Sequence, residues 1–117
     1  MTLDQLLAAV RAEKDIKFAQ VMSAIEDNYD YQPVRFVNGE GELQQINEAG
    51  QNAGSCKLFA FARIHDLTEA QTLALFGAYY RQDVQGNPAG DDHQNIRNFM
   101  RTGWQGIKFD GLALTAK

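Results

Sequence analysis

Leu3, Leu6, Leu7 and Val10 recur at the interval of one helical face, and Thr2 with Gln5 three residues later forms a capping box ahead of them. The pattern predicts a helix from Thr2 to about Arg11. Asp15 stands as the cap of a second helix. There Phe18, Val21, Met22, Ile25 and Tyr29 alternate steps of three and four, laying one apolar stripe on a helix that reaches about Asn28. From Tyr31 to Val37 the pattern changes. Tyr31, Val34, Phe36 and Val37 are strand formers, and Asn38-Gly39 is a turn signal. A single strand does not stand alone, so Glu42 to Ile46 and Gly106 to Phe109 are its two candidate partners.

Asn47 to Ser55, rich in Gly and Asn, reads as a loop. Ser55 or Asn52 then caps a helix from Cys56 to about Asp66. Leu58, Phe59, Ala60, Phe61, Ala62 and Ile64 make it apolar almost all round, which predicts the buried centre of the fold. Thr68 and Gln71 form another capping box, opening a helix with Leu73, Leu75, Phe76, Tyr79 and Tyr80. Gly86 to Gly90 is an irregular turn. Asp91 or Asp92 caps a last helix carrying Ile96, Phe99 and Met100, which Gly103 ends. The expected fold is a helix-dominated α+β domain spanning residues 1–117. It has about five helices around a buried central helix (about 56–66) and a small two- or three-stranded antiparallel sheet.

Composition narrows the function classes. The chain of 117 residues is 44% hydrophobic and 22% charged, an ordinary globular balance that needs no metal or disulfide staple at this length. Its one cysteine, Cys56, excludes an internal disulfide and a multi-cysteine zinc site. No run is long and apolar enough for a membrane helix, and no signal peptide opens the chain. A net charge of -4 argues against general nucleic-acid affinity. A soluble, cytoplasmic protein without nucleic-acid or membrane partners is expected. Charge is uneven, with nine acids against four bases in residues 1–50. The second part holds the Trp, the Cys and both His, so a site is expected there, with the first part as a solvated shell.

Three constellations could carry chemistry. Cys56, if it lies in the first turn of its helix beside Lys57, gains a lowered pKa, and His93 would serve as its base; a buried small hydrophobe is the simpler reading. Asp83, Asp91, Asp92 and His93 could face a hard cation across the Gly-rich turn. Their spacing matches no EF-hand loop, and an aspartate at a helix start is by default a cap, so no metal site is expected. Tyr79, Tyr80, Arg81, Asp83, His93, Arg97 and Trp104 form a dense polar-aromatic set, with Arg101 extending the row of His93 and Arg97 at steps of four. Such a face accepts a carboxylate, a phosphate or an acidic partner segment, unless internal carboxylates neutralise it.

The run Asn52 to Ala62, then Thr72 to Val84, Gly90 to Met100 and Gly103 to Phe109, resembles the HopJ type III effector protein family. Tyr29 to Pro33 and Phe36 to Gly39 add to the likeness, which covers about residues 15–109. The resemblance implies delivery into a host cell by a type III secretion system. It brings no catalytic activity, cofactor or functional residue. The expectation is a binding or interaction protein for an unidentified protein or a small anionic ligand, its cofactor and oligomeric state unknown. The alternative is an enzyme using Cys56 with His93.

Overall fold

In the computed structural model, which describes residues 1–117, five α-helices and five short strands follow the predicted order closely. Helix α1 (Leu3–Arg11) has the expected capping box: Gln5 N donates to Thr2 Oγ1 at 3.1 Å, and Thr2 N to Gln5 Oε1 at 2.8 Å. Helix α2 (Phe18–Asn28) buries Val21, Ala24 and Ile25, as its stripe predicts. Its start differs from expectation. Lys17, not Asp15, is the boundary residue, and its N–H is satisfied by Gln20 Oε1 at 3.0 Å.

The predicted strand from Tyr31 to Val37 is two strands in two sheets. Strand β1 (Tyr29–Tyr31) pairs antiparallel with β5 (Leu114–Ala116), a segment with no sequence signal of its own. Strand β2 (Phe36–Asn38) pairs antiparallel with both expected partners, β3 (Gln45–Asn47) and β4 (Lys108–Phe109). Pro33, which has no N–H to give a ladder, sits in the break between β1 and β2.

Helix α3 (Ala53–Ile64) is the centre of the molecule. Leu58, Phe59, Phe61 and Ala62 are completely buried. Phe59 packs on Phe36, Phe76, Phe99 and Trp104, while Phe61 meets Tyr29 and His65, so the two rings are covered by different neighbours. The first part of the chain is more than a shell, because Leu6, Val10, Val21, Ile25 and Phe36 join the same core.

The predicted helix from Thr68 through Tyr80 is interrupted. Helix α4 (Glu69–Ala74) keeps its Thr68–Gln71 capping box, then Gly77 turns the chain at φ +62 into a wide π turn, Tyr79–Val84. A Cβ at Gly77 would lie 2.9 Å from both Ile16 O and Phe18 N, so glycine is required twice over. Helix α5 (Gln94–Thr102) ends at Gly103, as expected, with φ +61. Its boundary residue at the start is His93 in the left-handed conformation (φ 51), not Asp91 or Asp92.

Candidate functional site

A cleft of about 510 Å³ opens where α2, α3, β3, the π turn and α5 meet. Phe18, Phe76, Tyr79 and Ile96 supply its apolar lining; Gln45, Asn52, Ser55, His93, Gln94 and Asn95 supply the polar part. Asn52 (φ 49) and His93 (φ 51) precede α3 and α5 in the left-handed conformation, which side chains with a Cβ rarely adopt. Neither caps its helix with its side chain. The amides of Gly54 and Ser55 at the start of α3, and of Gln94 and Asn95 at the start of α5, donate to no protein acceptor. The Ser55 hydroxyl has no protein partner either.

His93 is oriented from the side. Its Nε2 lies 3.0 Å from Asp83 Oδ2 and 3.8 Å from Asp92 Oδ2, and its ring rests 5.3 Å from that of Tyr79. An ionised carboxylate only accepts, so Nε2 carries the proton and donates to Asp83. Nδ1 has no protein partner.

Behind the cleft lies an asparagine network that sequence reading missed. Asn95 Nδ2 and Asn52 Nδ2 both donate to Asn47 Oδ1, at 2.9 and 2.6 Å. Asn38 Nδ2 donates to the carbonyl and side-chain oxygen of Asn95 at 2.7 and 3.0 Å. Asn98 Nδ2 donates to the carbonyls of Asn38 and Leu43. Asn38 and Asn47 are fully buried, so these bonds hold the starts of α3 and α5 to the β2–β3 hairpin. The signal was the number of Asn residues, which read locally as turn formers.

Of the expected set, the structure brings Tyr79, Asp83 and His93 together. The other residues go elsewhere. Arg97 is 5% exposed, and its guanidinium is spent on the preceding loop: Nε donates to Asp92 O (2.6 Å), Nη1 to Asn87 O and Pro88 O (3.1 and 3.2 Å), and Nη2 to Asp92 Oδ1. That hydrogen bond, with the guanidinium charge, holds the Asp92 carboxyl below the usual range. Arg101 bonds Asn98 Oδ1. Arg81 Nη2 donates to Ile16 O at 3.1 Å, and Tyr80 OH accepts from Gln85. Trp104 packs on Phe59 and Phe99, donates Nε1 to Leu67 O, and carries Arg63 over its ring at 5.1 Å. The row is therefore divided: His93 lines the cleft above, while Arg97 and Arg101 border a second one with Val84, Gln85, Pro88 and Met100.

Cys56 departs from the reading as a thiolate. Helix α3 begins three residues earlier than expected, so Cys56 N already donates to Asn52 O and is no free first-turn amide. The thiol is buried beside Val34 and Tyr31, and burial pushes its pKa up. No hydrogen bond joins it to His93. Asp91, Asp92, Asp83 and His93 do not assemble into a metal-ligand cluster.

A family model described as HopJ type III effector protein matches residues 3–114, nearly the whole chain. The chain belongs to the HopJ family. A crystal structure of VPA0580, a protein of unknown function, superposes with a TM-score of 0.94 at 50% sequence identity, covering 100% of this chain and 95% of that one. No curated protein matches. The HopJ relationship points to a type III effector-like protein, with no specific activity attached. No helix of this HopJ chain is long and apolar enough to cross a membrane.

Proposed function

We propose that this HopJ protein is a binding protein whose cleft between α3, α5 and the π turn holds a small anionic ligand. One observation carries the reading: the cleft gathers Tyr79 and an Asp83-oriented His93, together with amides and a hydroxyl that no protein group uses. Amides at two helix starts favour negative charge, and a protonated His93 Nδ1 would add a charged donor. No Lys or Arg lines the cleft, so affinity for bulky polyanions is not expected. The family description supports delivery through a type III secretion system as the setting, which a translocation reporter fused to the full chain would test.

Amide NMR titration with inorganic phosphate tests the binding reading. Shifts at Gly54, Ser55, Gln94 and Asn95 that weaken at least tenfold in His93→Ala, and are retained in Arg101→Ala, are expected. An unperturbed cleft, or equal perturbation in both variants, would overturn it.

A further inference from the structure

The cleft holds more than a small oxyanion would fill, and much of its wall is aromatic. Phe18 leads α2 and lies nearly parallel to Phe76 (10°, centroids 6.3 Å apart), while Tyr79 meets it edge-on at 5.3 Å. Two glycines set its place. A Cβ at Gly54, in the first turn of α3, would come within 2.9 Å of Phe18 Cζ. A Cβ at Gly77 would come within 2.9 Å of Phe18 N. Gly54 thus lets α3 close on the tip of the Phe18 ring, and Gly77 lets the chain close on the Phe18 backbone, which holds a half-buried ring in the lining of the cleft. Tyr79 remains 44% exposed there, with its ring shared between Phe18 and His93. Rings that pack on one face and stay open on another offer contact area at small entropic cost, and a flat apolar group is their natural complement.

We infer that the ligand is an aryl oxyanion. Its aromatic body lies against Phe18 and Tyr79, and its phosphate or carboxylate head accepts from the unpartnered amides and from the Nδ1–H of a doubly protonated His93. The inference rests on the anion-binding reading above and adds the body to the head.

Calorimetric titration with inorganic phosphate, methyl phosphate and phenyl phosphate separates the two claims; acetate and benzoate repeat the comparison for a carboxylate head. Phenyl phosphate is expected to bind about tenfold more tightly than methyl phosphate. Phe18→Leu, which keeps an apolar side chain, should erase that preference and leave inorganic phosphate binding within about twofold. Tyr79→Leu, at a half-exposed position, reads the aryl preference alone if Phe18→Leu fails to fold. Equal affinity for methyl and phenyl phosphate, with acetate and benzoate also equal, overturns the aryl inference while the anion reading stands. A preference that survives both ring substitutions overturns it as well. If no anion of either series binds, both claims fail together.

Discussion

His93 and Arg97 stand four residues apart at the start of one helix, and each is held by an aspartate. They do opposite work. Arg97 is 5% exposed, and its donors go to Asp92 and to three carbonyls of the Asn87–Asp92 loop, leaving little for a ligand. His93 has one nitrogen on Asp83, a side chain 30% exposed, and another nitrogen free. A side chain whose donors are consumed by backbone carbonyls shapes a site, whereas one oriented from a single side can serve it. Sequence spacing treats the two alike because it assumes a continuous helix. His93 lies just outside α5 in the left-handed region, so the rule that residues four apart share a face does not extend to it.

Arg97→Ala is therefore expected to show the largest effect. It strands the carbonyls of Asn87, Pro88 and Asp92, and about 2–4 kcal/mol of stability should be lost in urea unfolding. His93→Ala should cost less than about 1 kcal/mol in the same assay, since both partners of its hydrogen bond meet solvent. Equal losses would erase the distinction. The next effect is expected behind the cleft. Asn47→Ala removes the acceptor for Asn52 and Asn95 and leaves the buried Asn95 amide unpaired, at about 1–3 kcal/mol. Amide exchange at the starts of α3 and α5 should quicken with it. Unchanged protection there would show that the two helix starts are not tied through Asn47.

How much of this was readable from the sequence depends on whether the cause was local. The Thr2–Gln5 and Thr68–Gln71 capping boxes are local, and both stand as read. The burial of α3 was legible because Phe59 and Phe61 point away from each other, which forces cover on two sides. The split of Tyr31–Val37 was not legible. Pro33 gave a hint, but the choice of separate sheets is made by β5 and β4 from the far end of the chain. Asn47 and Asn95 read as loop and surface residues because nothing in their neighbourhoods reveals that they will be buried together. For the site, Tyr79, Asp83 and His93 could be named since aromatic and titratable residues crowd there. Phe18, Asn52 and Ser55 could not, because only the tertiary fold brings α2 and the start of α3 to them. Trp104 belongs to the polar-aromatic set by its chemistry, yet Phe59 and Phe99 claim it for the core.

The smallest effect should come from the other histidine. His65 ends α3, with Nε2 2.7 Å from Tyr29 OH and its ring against Phe61. Burial first, and the Arg11 charge second, hold its pKa below the usual 6.5, against the opposing pull of Asp66. A lowered folded pKa means that the unfolded chain binds the proton more readily, so stability rises with pH in that range. Full stability holds above about 6.5 and erodes as the pH falls through that value toward the folded one. Asp92, also held low, adds a second loss only as the pH falls below about 3.8. His65→Gln keeps a side chain able to accept from Tyr29 but cannot titrate. Urea midpoints measured between pH 7.5 and 5 should fall for the parent protein and stay flatter for His65→Gln. The same slope in parent and His65→Gln would place the acid sensitivity elsewhere.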